Sequence, residues 1–174
     1  MSILSGYKRV CRRNIGGISR IGVVPIQNID VTIMEKLISD ITFKEDAAKF
    51  VDYESVLDGA EYKISESEQT VTLRFNALDA KSSIAYNELL DAAPCGLCLL
   101  LHMNNGAAVL VGWTEEFGNH RPVTDVTPEG TSGKAITDDN YLDITFRTTQ
   151  VTAPLYLSEE AVKKLDTYFE APKA

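Results

Sequence analysis

The chain has 174 residues, of which 44% are hydrophobic and 24% are charged, and its formal net charge is −8. This is typical of one globular domain over residues 1–174, and the acidity argues against nucleic-acid binding by the whole chain, because such binding neutralises phosphates. The longest apolar run, Leu97 to Met103, is too short to span a bilayer, and we see no secretory signal, so we expect no membrane partner. Three cysteines do not make a disulfide framework, which favours a reducing cytoplasm.

The first 14 residues are polar and basic with little periodicity, and we interpret them as an N-terminal arm (residues 1–14). The basic residues of this arm are Lys8, Arg9, Arg12 and Arg13. The segment 40–68 and the C-terminal segment are acidic instead. Unlike patches on successive copies attract, so this asymmetry is suited to head-to-tail assembly. A normally solvated surface is an equally good interpretation.

Strands are predicted over most of the chain that follows the arm. Segment 18–25 has strand composition and ends at Pro25. Segment 26–40 is ambiguous, because its β-branched residues fit a strand while its apolar spacing fits a helix, and we predict a short helix there. Further strands are predicted at 40–44, 49–54, 61–65 and 70–76. The last of these alternates, with apolar residues on one side, as in an antiparallel meander with one wet or subunit-facing side: Val71, Leu73 and Phe75.

One internal helix is predicted after this meander. Its candidate N-caps carry oxygens that can accept hydrogen bonds from a first helical turn: Asp79, Ser82 and Ser83. Its buried face is predicted to contain small and aliphatic residues at helical spacing: Ala85, Leu89 and Ala92 or Ala93. Pro94 ends the helix just before the next strand.

A hairpin is predicted at the centre of the core, from segments 97–103 and 107–113 around Asn104-Asn105-Gly106. The Asn-Gly pair favours a type I′ turn, because both residues tolerate a positive φ. Neither segment alternates with polar residues, so we expect strands that are covered on both faces.

A long loop is predicted at 114–140, because this segment is rich in Gly and Pro and poor in large apolar residues; residues 123–126 are a candidate short strand. The acidic residues of this loop include Glu115, Glu116, Asp125 and Glu129, and we predict that the arm of one copy meets them on the next. Segment 141–148 alternates as a strand, and 153–157 extends the sheet or runs along its edge. A C-terminal helix follows at 158–170, with Ser158 as its N-cap.

No catalytic, cofactor or metal site is predicted. Cys95-Gly96-Leu97-Cys98 has the C-x-x-C spacing, but it follows a helix end and opens a strand, whereas a redox cysteine sits at a helix N-terminus. We expect Cys98 to be a buried small hydrophobe. His102 and His120 have no paired ligand motif beside them, and no nucleophile or phosphate-binding motif is present.

The order of motifs resembles the small β-rich tail-tube proteins of tailed phages and prophages, especially those of Bacteroidetes. The matching stretches are CRRNIGGISRIGVVP, VTLRF, the NNG hairpin with its LVGW exit, EGTSGK, and DDNYLDITFRTTQVTAPLYL. The resemblance spans most of residues 1–157. It implies a mainly β protein with small α content, an antiparallel β-sandwich or barrel of the tail-tube type. The C-terminal helix is not a feature that this family leads us to expect.

The resemblance also implies a function. Such proteins form rings, commonly hexameric, whose inner sheets join into one barrel, and the rings stack into a tube. The expected partners are further copies of the chain and other phage tail proteins, with DNA only as passing cargo, in a virion tail assembled in the bacterial cytoplasm. The alternatives are another ring-forming component, such as a head–tail connector, tail terminator or injection-system tube, or a thiol-dependent enzyme using Cys95 and Cys98.

Overall fold

The structure is a computed structural model that describes residues 6–9, 11, 13, 15–44, 47–56, 58–115, 120–150 and 152–170. These residues form three antiparallel sheets and three short α-helices, so the protein is mainly β, as predicted. The strands are β1 (Ile18–Pro25), β2 (Ile29–Met34), β3 (Leu37–Phe43), β4 (Val51–Asp52), β5 (Glu61–Ser65), β6 (Glu68–Phe75), β7 (Leu97–Met103), β8 (Ala108–Val111), β9 (Asp125–Thr131), β10 (Tyr141–Thr149) and β11 (Leu155–Tyr156). The helices are α1 (Ala80–Ala92), α2 (Glu159–Lys163) and α3 (Leu165–Tyr168).

A five-stranded central sheet has the order β11-β8-β7-β1-β4. The predicted hairpin lies in it: β7 pairs antiparallel with β8, with Leu99 opposite Val111 and Leu101 opposite Val109. Strand β1, also predicted, pairs with the other side of β7. The two apolar segments therefore pair as expected and occupy the middle of the central sheet.

The turn of this hairpin differs from the prediction. The Met103 amide donates to the Ala107 carbonyl at 2.8 Å, and the Gly106 amide donates to the Met103 carbonyl at 3.0 Å. Gly106 has a φ of 92°, whereas Asn104 and Asn105 have no positive φ. This is a three-residue loop with glycine at the bulge position, so the type I′ prediction was wrong. One left-handed residue is enough here, and glycine supplies it at no steric cost.

The central sheet is covered on both faces, because its apolar side chains alternate between two cores. The first core lies against the second sheet and α1, and it contains Leu97, Leu99 and Leu101. The second core lies against the β2–β3 hairpin and the C-terminal helices, and it contains Cys98 and Leu100. This arrangement confirms the expectation that β7 is buried on both sides.

The second sheet has the order β5-β6-β10-β9. Its inward residues fill the first core: Val71, Leu73, Val126, Leu142, Ile144 and Phe146. Strand β9 corrects the prediction of one long loop over 114–140, since only a short strand at 123–126 was expected within it. Pro128 and Gly130 obscured this strand in the sequence, but a strand at the edge of a sheet tolerates both residues.

The α-helix predicted within 26–40 was wrong, because this segment forms a single 3-10 turn (Ile26–Asn28), then β2 and the start of β3. Buried Ile29 and Val31 alternate with exposed Asp30 and Thr32, which is the period of a strand. The turn at residues 35–36 has a positive φ at both positions, 52° and 68°. The β-branched residues therefore decided the structure, because they pack against the second core.

The other two predicted helices are present, with one change. In α1, the Asp79 carboxylate accepts from the Ser82 amide at 2.8 Å, and the Ser82 hydroxyl accepts from the Asp79 amide at 3.1 Å, which makes a capping box. The C-terminal helix begins after Ser158, whose hydroxyl accepts from the Ala161 amide at 3.3 Å. It is divided into α2 and α3 at Lys164, which has non-helical backbone angles.

The C-terminal segment closes the second core. The Phe50 amide donates to the Tyr168 carbonyl at 3.1 Å, and the Glu170 amide donates to the Phe50 carbonyl at 2.9 Å. The Arg20 guanidinium lies 3.7 Å from the centre of the Phe169 ring and is 2.7 Å from the Asp166 carboxylate. This segment is thus an integral part of the packing against the central sheet. None of the helices in the described ranges is long and apolar enough for a membrane crossing.

Candidate functional site

The outward side of the second sheet is polar along all four strands, and we call it the polar face. Its residues alternate with the buried residues of the same strands and lie opposite one another in the sheet register. They are Glu61, Lys63 and Ser65 of β5; Glu68, Thr70, Thr72 and Arg74 of β6; Tyr141, Asp143, Thr145, Arg147 and Thr149 of β10; and Asp125, Thr127, Glu129 and Thr131 of β9. Short hydroxyl side chains thus lie among charges of both signs.

An ion pair occupies the polar face near one end of the sheet. The Arg74 guanidinium donates to both carboxylate oxygens of Asp143, at 2.7 and 3.0 Å, and it lies 3.8 Å from the centre of the Tyr141 ring. The hydrogen bond to Asp143 raises the pKa of Arg74. Each charge is therefore compensated by the other, which favours a structural role for this pair in the sheet.

A groove of about 390 Å³ lies beside this ion pair, bounded by strands β5 and β6 and by residues 58–60. Lys63 and Arg74 line it together with Glu61, Asp58 and Asp143. Its wall contains both cations and anions, so the groove does not present one sign of charge to a ligand. Its geometry suits solvent contact better than the capture of a charged small molecule.

Two of the acidic residues predicted to mediate assembly lie on the polar face. Asp125 and Glu129 are both exposed and project from the same side of β9. Glu115 lies elsewhere, after β8 of the central sheet, where its carboxylate accepts from the indole Nε1 of Trp113 at 2.9 Å. Glu116 lies outside the described residues. The structure therefore brings together only part of the predicted acidic set.

The basic residues of the predicted assembly contact belong to the arm. Lys8, Arg9 and Arg13 are exposed and have no helical or strand structure, and Arg12 lies outside the described residues. Within the described ranges, the ion pairs join Arg20 to Asp52 and Asp166, and Arg74 to Asp143. None of them joins the arm to an acidic residue of the same chain. The pairing of arm and loop between copies stays a prediction.

Four charged residues that complete the polar face were not predicted as site residues from the sequence: Lys63, Arg74, Asp143 and Arg147. The alternation of 70–76 and of 141–148 did indicate a polar side on each strand. The signal that was lacking is the strand order, which places β6 beside β10 and makes β5 and β9 the edges. Strand order depends on contacts between distant parts of the chain, and local periodicity does not contain it.

The cysteines and histidines do not form a cluster in the described part of the chain. Cys95 is exposed, and Cys98 is buried, as expected, so that burial raises the pKa of the Cys98 thiol and disfavours the thiolate. The Ser19 hydroxyl donates to the His102 carbonyl at 2.8 Å, while the His120 ring stacks on Trp113 with 3.9 Å between ring centres. No group of three or more metal-ligating side chains occurs among these residues.

Comparisons of the chain with protein-family models, with curated proteins and with solved structures found no match.

Proposed function

We propose that the protein is a virion structural component that assembles into stacked rings and forms the tail tube through which phage DNA passes. The observation that carries this proposal is the polar face. A four-stranded sheet has its apolar side packed against the chain's own core, while its other side is polar from edge to edge. Such a sheet can line a water-filled channel.

The edges of this sheet support the same proposal. Neither β5 nor β9 pairs with a further strand in the described ranges, so each leaves one side of its backbone free. An unpaired strand edge is a template for pairing with another chain. Joining the sheets of several copies would remove these edges and produce a barrel, which is the architecture that the resemblance to tail-tube proteins leads us to propose.

The charge of the polar face is suited to the passage of DNA. Five of its side chains are acidic and three are basic, and the chain as a whole has a net charge of −8. A surface that binds DNA has to neutralise phosphates with an excess of Lys and Arg. An excess of carboxylates instead leaves DNA free to move along the channel, as cargo.

Negative-stain electron microscopy of the purified protein at several concentrations tests this proposal. We expect rings, hexameric by analogy with the tail-tube family, with a visible central channel, and stacks whose length increases with concentration. Single rings at every concentration would favour the alternative of a connector or terminator. A chain that stays monomeric at every concentration would contradict both assignments.

A further inference from the structure

The two edges of the second sheet run in opposite directions. The order β5-β6-β10-β9 is antiparallel throughout, so β5 and β9 are antiparallel to each other. When copies are related by rotation about the axis of a barrel, β9 of one copy meets β5 of the next in antiparallel orientation. The ladder can therefore continue from copy to copy without a change in its pattern.

The charges at the two edges are complementary. At the β9 edge, Glu129 lies opposite Asp143, whose charge is already compensated by Arg74. Glu129 is thus an exposed carboxylate beside another carboxylate, which is unfavourable in a sheet. At the β5 edge, Lys63 is exposed, and its cross-strand neighbour is the uncharged Thr70. Glu129 therefore has no cation directly opposite it, and Lys63 has no anion directly opposite it.

From these observations we propose that β5 of a second copy pairs antiparallel with β9, with the second copy's Lys63 directly opposite Glu129. This inference rests on the proposed ring assembly and specifies the interface between neighbouring copies. In this register the five residues of β5 all lie opposite β9, from residue 127 to residue 131. The Ile64 side chain, 47% exposed in the single chain, would then lie opposite Pro128 and be partly covered.

Neighbouring registers are less favourable, and each even shift keeps the polar residues on one side of the sheet. A shift of two residues toward the start of β9 places Glu61 opposite Glu129, which sets like charges against each other. A shift of four places Lys63 opposite Asp125, but only three residues of β5 then overlap β9. A shift of two in the other direction carries β5 past the end of β9, and Lys63 then faces the uncharged Thr131.

The proposed register is also staggered relative to the rows within one copy. A row drawn straight across the four strands joins Lys63, Thr70, Arg147 and Asp125. Placing Lys63 opposite Glu129 moves the next copy four residues along β9. A closed barrel requires such a stagger, because its strands tilt relative to the barrel axis. Pro128 has no N–H and lowers the number of backbone bonds that β9 can make, so side-chain complementarity has more weight in selecting the register.

Charge reversal tests the proposed pairing of Lys63 with Glu129 between copies. We expect Lys63→Glu alone and Glu129→Lys alone each to raise the protein concentration needed for half-maximal ring formation by roughly fivefold, as expected for a lost cross-strand charge pair. The chain carrying both substitutions has an opposite-charge pair again at every interface between copies, so it should assemble as the unsubstituted chain does. Matched controls are Lys81→Glu and Glu88→Lys, which make the same charge changes on exposed residues of α1, outside the strands of the sheet.

Disulfide trapping gives a second readout that does not depend on assembly strength. In a chain with Cys11→Ser and Cys95→Ser, we expect Lys63→Cys together with Glu129→Cys to form intermolecular disulfides on oxidation, because directly opposite strand residues are close enough for a disulfide. Lys63→Cys together with Asp125→Cys is the control for the other charge-paired register. Two outcomes would overturn this register while the proposal of ring assembly stands. In the first, the unsubstituted chain forms rings but the double charge reversal does not restore assembly; in the second, disulfides form only in the chain with Lys63→Cys and Asp125→Cys. A monomeric unsubstituted chain would overturn both proposals.

Discussion

The central sheet and the second sheet are both antiparallel, but the middle strands of the central sheet are apolar on both sides, whereas the strands of the second sheet alternate between apolar and polar residues. The central sheet is covered on both faces by its own chain, by the second sheet on one side and by the β2–β3 hairpin and C-terminal helices on the other. Among the described residues, the second sheet is covered on one face only, and its polar face and two edges stay open. The central sheet therefore contributes both of its faces to the core of its own chain, whereas the second sheet keeps one face exposed after folding.

This difference lets folding and assembly vary separately. A substitution in the central sheet disturbs two cores at once, whereas a substitution on the polar face touches neither. We therefore expect stability to be concentrated in the central sheet and ring formation to depend on the second sheet and on the arm.

The largest expected effect is at Leu100, which is fully buried in β7 against the second core. Leu100→Ala should lower the free energy of unfolding by about 2–4 kcal/mol, because it removes packed methyl groups and leaves a cavity. Thr145→Ala, at the centre of the polar face, should cost less than about 1 kcal/mol. Urea denaturation of both variants measures the contrast, and equal losses would contradict the division between the two sheets.

A smaller loss is expected at Gly22 in β1. A Cβ at this position would lie 2.5 Å from the Phe169 Cε1 atom and 3.0 Å from the Phe50 Cβ atom. Gly22→Ala should therefore destabilise the protein by about 1–3 kcal/mol through overpacking against the C-terminal segment. The matched control is Gly16→Ala, where a Cβ meets no atom within 4 Å.

A second variant checks the cause of that loss. If the clash with the Phe169 ring is responsible, Phe169→Leu in the Gly22→Ala background should cost less than Phe169→Leu alone, since the smaller side chain makes room. Strictly additive losses in thermal denaturation would show that the ring is not the obstacle.

How far the sequence predicts this fold can be seen from particular segments. The strands at 97–103 and 141–148 were predicted correctly because their periodicity agrees with their final packing. Segment 26–40 was predicted as a helix because Val31, Met34, Leu37 and Ile38 are spaced as on a helix face. The structure instead uses the β-branched residues of this segment against the second core, which is a tertiary contact that no local pattern contains.

The candidate site was less predictable than the fold. Asp125 and Glu129 were singled out for their charge within an acidic loop, but their position on an edge strand was not anticipated. Lys63, which lies at the opposite edge, was not singled out at all. The complementarity of the two edges appears only when the strand order is known, because it joins residues that are more than sixty positions apart in the chain.

On the polar face itself, the Arg74–Asp143 ion pair should contribute little to the free energy of unfolding, because both side chains keep contact with solvent, 34% and 18% exposed. Arg74→Gln and Asp143→Asn, singly and together, form a double-mutant cycle that isolates the pair. We expect the coupling energy to decrease at high salt, since the pair is partly screened. A coupling energy as large as the loss at Leu100 would mean that the polar face also stabilises the fold.

The smallest effect on stability is expected for the arm, whose described residues are exposed and outside every sheet. Deleting residues 1–13 should change the free energy of unfolding by less than about 0.5 kcal/mol and leave the thermal transition nearly unchanged. The deletion should nevertheless abolish long tubes, because the arm carries the four basic residues that would contact acidic residues of the next copy.

A full-length chain with Lys8, Arg9, Arg12 and Arg13 replaced by Gln separates the effect of the arm's charge from the effect of its length. If charge is the cause, this chain should also fail to form long tubes, and assembly of the unsubstituted chain should weaken as salt is added. A truncated chain that polymerises as well as the intact one, or that does not fold, would contradict a role of the arm in assembly alone.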